Sequence, residues 1–209
     1  MREWNDMLEA VARLAATRSM EEDTRYPVGK TAACRKDRLV SSCRRFEFYT
    51  SSFWGDQTGP NPTDRRKNGS KHHVITDAQG IPLVAQITAA NRHDVTQILP
   101  LVDSIPKIQG KLGRPRHRPA TVQGDRAYDS KYHRDELRSR NINPVLARRK
   151  TEHGSGLGIY RWVVERTISW LHQYRRLRVR YERRGDIHQA FVNLGCILIC
   201  CKYLNGSFC

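Results

Sequence analysis

Acidic residues are scarce in this sequence. Asp and Glu number 21 against 37 Lys and Arg, giving a formal net charge of +16 and a pI near 10.1. A surplus of that size calls for a polyanionic partner, nucleic acid first among them, although ribosomal proteins share the balance. Cysteines are present without a ligand pattern: Cys34, Cys43, Cys196, Cys200, Cys201 and Cys209 form no C-x-x-C set. Four of them fall in the last fourteen residues, so buried reduced thiols are expected there and a zinc centre is not. Long hydrophobic runs are missing as well. The apolar stretch Phe191 to Cys201 is interrupted by Asn193 and too short to span a bilayer. No signal-peptide pattern opens the chain, so a cytosolic protein without a membrane partner is the expectation. Internal repeats and long low-complexity tracts are absent. What is present, 38% hydrophobic residues over 209 positions, can bury the core of one domain plus extra segments.

Residues 3–16 repeat apolar side chains at Trp4, Met7, Leu8, Val11, Leu14 and Ala15, the spacing of an amphipathic helix. Residues 17–38 are polar and read as linker. β-Branched runs predict strands at Lys71–Thr76 and Ile81–Thr88, joined by the turn Asp77-Ala78-Gln79-Gly80. In that turn Asp77 is suited to bond its own backbone. Asp94 can cap a helix over 95–104. A strand ending at Asp125, a helix near 130–140, a strand at 142–147 and two helices at about 160–180 and 187–204 complete the reading.

Two carboxylates stand out. Asp125 closes the β-prone run Ala120-Thr121-Val122-Gln123, and Glu165 is a lone acid within RWVVERTISWLHQYRRLRVRYERR at 161–184. Val164, Ile168 and Leu171 share one helical side, which puts Glu165 at the border of the apolar face. Two carboxylates on separate elements, without a Cys/His ligand set, suit a hard oxygen-seeking ion such as Mg²⁺ or Mn²⁺. Taken alone, such a pair is more often a cap and a salt-bridge partner.

The surrounding segments carry a resemblance. GPNPTDRRKNGSKHHVITDAQGIPL (59–83), ANRHDVTQILPLVDSIP (90–106), GDRAYDS (124–130), LARRKTEHGSGLG (146–158), the 161–184 helix and DIHQAFVNLGCILICCKYL (186–204) are collinear across about two thirds of the chain. In this the sequence resembles the DDE-type transposases of bacterial insertion sequences. The resemblance implies a ribonuclease-H-like α/β fold, an antiparallel meander followed by parallel strands with helices against the sheet. It implies divalent-metal-dependent DNA nicking and strand transfer at element ends, with Asp125 and Glu165 as the second and third acids of a catalytic triad. Double-stranded DNA is the implied partner, and a homodimer fits the need to join two DNA ends. Arg161, four residues before Glu165, either holds a phosphate, orients the glutamate or is a surface arginine. Related families place a lysine seven residues after the glutamate, where this chain has His172.

Other candidates are weighed on local grounds. The basic runs containing Arg65, Arg66, Lys67 and Lys71, then Arg114 and Arg116, then Arg175 and Arg176, are expected to contact phosphates without reading sequence. His72 and His73 alternate across a strand and are expected to be solvated. His93-Asp94 reads as a capped turn. Trp162 and Trp170 could stack on an unpaired base, with core packing the commoner fate.

The first triad acid belongs upstream of Gly59, on a strand reading like V-D-S-S-S. Residues 38–54 instead read RLVSSCRRFEFYTSSFW, and the first strand is expected to be degraded. One allowed set of codons for Arg38 to Tyr49, read one nucleotide later, spells D-W-S-R-R-A-V-D-S-S-S. A frameshifted segment would account for that, and would leave the first acid missing and catalysis impaired. The expected organisation is therefore an N-terminal helix at 1–18, a linker and atypical segment at 19–58, and a catalytic domain at 59–204. The competing readings are a catalytically dead DNA-binding relict and a basic RNA-associated structural protein.

Overall fold

A computed structural model of the chain describes residues 40–44, 49–50, 54–62, 65–108, 115, 118–148 and 158–204. The expected N-terminal helix and linker lie outside the described residues.

The strands are β1 (Val40–Arg44), β2 (Tyr49–Thr50), β3 (Gly59–Pro60), β4 (Asn68–Thr76), β5 (Pro82–Ala89), β6 (Thr121–Gly124) and β7 (Asn143–Leu146). The helices are α1 (Ile98–Asp103), α2 (Lys131–Ser139), α3 (Gly158–His172), the single turn α4 (Arg175–Arg178) and α5 (Gly185–Leu204). One mixed sheet runs β5-β4-β1-β6-β7, with β2 and β3 as short additions along the N-terminal half of β4. The β4–β5 hairpin is antiparallel, β1 is antiparallel to β4, and β6 and β7 run parallel to β1.

The sequence reading expects the first strand to be degraded, and the structure corrects this. Residues 40–44 form the central strand, with Cys43 opposite Ile75 on one side and Gly124 on the other. Backbone hydrogen bonding on both edges holds the strand whatever its side chains, since the ladder uses only N–H and C=O groups.

Pleat alternation sorts β4 into two faces. Ile75 joins Val84, Val122 and Leu146 in a core covered by α1 and α2. Val74 joins Ala85 and Ile87 in a second core covered by α3, α4 and α5. β4 is buried on both faces because helices cover each side of it. β5 is the sheet edge, and α5 covers it: Gln189 accepts from the Ile87 N–H at 3.0 Å and donates to the Ala85 carbonyl at 2.8 Å. Such a cover satisfies groups that would otherwise template another strand.

The hairpin turn forms as expected. Asp77 accepts from the Gln79 N–H at 2.9 Å and the Ile81 N–H at 2.8 Å. Gly80 has φ +94°, a conformation only glycine takes without strain, and its carbonyl accepts from Thr167 of α3 at 2.6 Å.

Two elements differ from expectation. The 95–104 helix opens as a 3-10 turn over Asp94–Gln97, and Asp94 is buried rather than capping, for a reason given below. The 160–180 helix breaks at Tyr174, whose backbone is extended (ψ 116°), so that Leu171 and Leu177 enter the same core from either side of the break. The last helix is longer than its apolar run. At 20 residues, with mean hydropathy 1.4 over its most apolar window, α5 is long and apolar enough to cross a bilayer by length and composition. Val192, Cys196, Ile199 and Cys200 are nevertheless buried against the sheet, the signature of a core helix.

Candidate active site

Asp125 directly follows β6 with extended backbone (φ −74°, ψ 168°), and its carboxylate accepts from the Arg126 N–H at 2.7 Å. Gly124, one residue earlier, faces Leu146 and Tyr128 in the α1–α2 layer. Alternation therefore directs Asp125 to the opposite face, the one that carries α3. α3 packs across β1 and β4, and β1 is the immediate neighbour of β6. Glu165 is half-buried in α3, beside the buried stripe Val164, Ile168 and Leu171. Asp125 is thus directed to the sheet face on which α3, the helix of Glu165, packs over β1 and β4.

β1 itself reads Val-Ser-Ser-Cys-Arg and contributes no carboxylate over its length. Among the described residues, no group of three His, Cys, Asp or Glu side chains is placed to hold a metal ion.

The basic candidates divide. Arg65, Arg66 and Lys67 are exposed in the loop before β4, and Arg65 and Arg66 both take positive φ (45° and 58°). Arg175 and Arg176 are exposed on α4, where Arg176 pairs with Glu182 at 2.7 Å. Lys71 is a correction. It is 5% exposed and forms a 3.0 Å ion pair with Asp94, itself 6% exposed, while its ammonium donates to the Arg92 carbonyl at 2.6 Å. Lys71 points into the α1–α2 layer because it shares the parity of His73 and Ile75, and a buried lysine cannot meet DNA. The same pairing takes Asp94 away from helix capping. Arg114, Arg116 and the Arg161 side chain lie outside the described residues. His172 is half-buried at the end of α3.

The histidines are corrected too: His72 and His73 are both buried rather than solvated. His73 bonds Tyr128 at 3.1 Å and Thr88 at 2.8 Å, and burial above all pushes its pKa down to about 4. His72 meets His188 of α5, Nε2 to Nε2, at 2.9 Å, and the Nδ1 of His188 meets Glu182 at 3.3 Å. A carboxylate can only accept, so His188 carries its proton on Nδ1 and His72 donates from Nε2. Burial and then the Arg180 charge lower His188 to about 4, against the pull of Glu182. Burial works to raise the Glu182 carboxyl, but hydrogen bonds from its own backbone, Arg176 and His188 hold it below the usual range.

Trp162 is half exposed and Trp170 half-buried. Trp170 packs against the second core, as expected, and Trp162 does not. The Arg166 guanidinium lies 4.6 Å from the Trp162 ring and 4.9 Å from that of Trp170, between the two. The thiols follow expectation: Cys196 and Cys200 are free and buried, and burial raises Cys196 to about 12.

Sequence reasoning missed Arg180, which is fully buried. Its guanidinium donates to the carbonyls of Glu182 (2.8 Å), Asp56 (2.6 Å), Gln57 (3.3 Å) and Arg183 (3.2 Å) and to Ser70 Oγ (2.6 Å). The available signal was Glu182, the one acid in Arg175–Arg184, together with the alternation Arg180 in, Tyr181 out, Glu182 in, Arg183 out.

Comparison with known proteins gives the family of the chain. A family model described as "Transposase DDE domain" matches residues 40–200. The putative transposase for insertion sequence element IS402 of Burkholderia cepacia is 58% identical over 208 residues, 99% of this chain and 98% of that protein. The transposase for insertion sequence element IS1106 of Neisseria meningitidis serogroup B is 30% identical over 126 residues, 55% of this chain and 40% of that protein. The family match begins at Val40, so β1 lies inside it.

Proposed function

Because the chain belongs to the transposase DDE domain family, we propose that it nicks DNA at the ends of an insertion sequence and transfers the freed strand into target DNA, with Asp125 and Glu165 as metal-binding carboxylates. The observation that carries this reading is the alternation at Gly124-Asp125, which turns Asp125 toward the face against which α3 brings Glu165. The strand order β5-β4-β1-β6-β7, with only β4 antiparallel to β1 among its neighbours, supports a ribonuclease-H-like description of the sheet.

Two carboxylates from a strand end and a helix suit a hard divalent ion such as Mg²⁺ or Mn²⁺, with water and phosphate oxygens completing its shell. Such an ion, when bound, supplies activation of the attacking oxygen and stabilisation of the leaving one. The chain's own residues position the parts. Thr167 fastens α3 to the hairpin at Gly80, which fixes the height of Glu165 over the sheet. The Arg126 N–H restrains the Asp125 carboxylate. Arg65, Arg66, Lys67, Arg175 and Arg176, with Arg114, Arg116 and Arg161, hold the phosphates of double-stranded DNA. Two copies acting together would bring two element ends side by side.

A second reading, a DNA-binding relict without catalysis, is favoured by one observation: β1 carries no acid where a third metal ligand would stand. A single assay separates the two. A labelled terminal-repeat duplex is incubated with Mg²⁺ and the unaltered chain, Asp125→Asn or Glu165→Gln. Nicking that disappears in either variant supports the enzyme. Nicking that survives both substitutions refutes the assignment of the carboxylates, and DNA binding with no nicking by any form supports the relict.

A further inference from the structure

The segment Val179–Arg184 and the loop Trp54–Thr58 are far apart in sequence, yet they form one rigid surface. Arg180 is its hub, spending its donors on Asp56, Gln57, Glu182, Arg183 and Ser70. The Asp56 N–H donates to the Arg183 carbonyl at 3.0 Å, and Gly55 sits so close to that carbonyl that a Cβ could not be accommodated. Glu182 is held inward by Arg176 and His188. Burying a guanidinium is expensive unless every donor is met, and here the return is a fixed presentation of what faces out.

What faces out is aromatic and basic. Trp54 is 74% exposed and Tyr181 51% exposed, the Arg176 guanidinium lies 5.8 Å from the Tyr181 ring, and Arg175, Arg178, Arg183 and Arg184, near Tyr181 in sequence, are exposed. Arg184 is offset by Asp186, and Arg176 by Glu182, and Arg175 and Arg178 add exposed positive charge. Large rings this open to water beside arginines match a chain of unpaired nucleotides, whose bases stack on rings while cations track the phosphates.

The location fits as well. Ser70, His72 and Val74 share a face of β4, the face of α3, and Ser70 touches Arg180. Asp125 follows Gly124, whose rung contains Ile75, so it lies near the level of Val74. Ser70 is four residues further along, roughly 14 Å at the strand rise. That distance is about four stacked nucleotides along one strand.

We infer that Trp54 and Tyr181, presented by buried Arg180, bind unpaired bases of the DNA strand a few nucleotides from the scissile phosphate. The inference rests on the DNA-processing reading and extends it to a single-stranded flank.

The test measures fluorescence anisotropy of the full chain with a short fluorescein-labelled single strand, and with the same strand annealed as a duplex, both in EDTA. Trp54→Ala and Tyr181→Ala should each weaken single-strand binding about tenfold, with duplex binding little changed. Trp54→Phe and Tyr181→Phe keep a ring and should retain most of the affinity, and matching thermal melts guard against misfolding. The double change Arg175→Ala with Arg178→Ala should weaken both probes and flatten the salt dependence. Any result in which the alanine variants do not lose more on the single strand than on the duplex overturns the inference. Both probes are read in EDTA, without metal or cleavage, so a wrong assignment of the catalytic carboxylates leaves this test intact. If the unaltered chain binds neither probe, the DNA reading falls with it.

Discussion

Replacing Lys71 by methionine decides between two roles that its sequence context cannot separate. Within KNGSKHH it reads as one more cation of a DNA-binding run. In the fold it is 5% exposed, and its ammonium is 3.0 Å from the Asp94 carboxylate. Lys71→Met keeps the aliphatic stem and removes the charge, which takes the ion pair from Asp94 at 6% exposure. Breaking one side of a buried pair costs about 3–5 kcal/mol, a large share of a domain stability of roughly 5–15 kcal/mol. Urea unfolding should therefore shift to a markedly lower midpoint with unchanged m-value. Lys71→Met combined with Asp94→Leu should recover much of the loss, since the carboxylate that lost its ion pair is gone as well. DNA affinity of the folded variant should keep the same salt dependence. A phosphate contact would instead lower the slope of log K against log salt by about 0.9. Stability within ~1 kcal/mol of the parent, together with a reduced salt slope, would refute the structural role.

Acid should destabilise the fold early. His73 and His188 are held near 4 in the native state and ionise near 6.5 when unfolded, so stability is complete above pH 6.5 and is lost as pH falls toward 4. Each contributes about 3 kcal/mol across that window, and a flat urea midpoint from pH 7 to 5 would contradict it. Gly55→Ala forces a Cβ into the Arg183 carbonyl and should cost roughly 1–3 kcal/mol in urea unfolding, with a lowered melting temperature as the readout. Cys196 and Cys200 should resist thiol reagents at pH 8 until urea is added, while half-buried Cys201 reacts first; rapid native labelling of all three would be inconsistent with the burial.

The hairpin, β6, α2 and β7 were legible because each rests on local signals: β-branched runs, the Asp-x-x-Gly turn and helical spacing. β1 was not. Val-Ser-Ser-Cys-Arg has no alternation that marks a strand, and its place in the sheet is set by two neighbours that are remote in sequence. The break at Tyr174 was hidden for a related reason, since the helical pattern runs on through it while the core takes Leu177 back in.

Charge balance pointed to a polyanionic partner, and the collinear segments around the two carboxylates carried the resemblance to a DNA-processing family, because both are properties of the residues in order. Whether a given cation meets solvent or an internal carboxylate is a different matter. Lys71 and Arg180 are indistinguishable by type from Lys67 and Arg175; Lys71 lies within β4 against Asp94 and Arg180 is enclosed by the Asp56–Gln57 loop, while Lys67 precedes the strand and Arg175 sits on an exposed turn. Side-chain direction depends on three-dimensional neighbours, so the division between structural and surface arginines was decided by the tertiary structure alone.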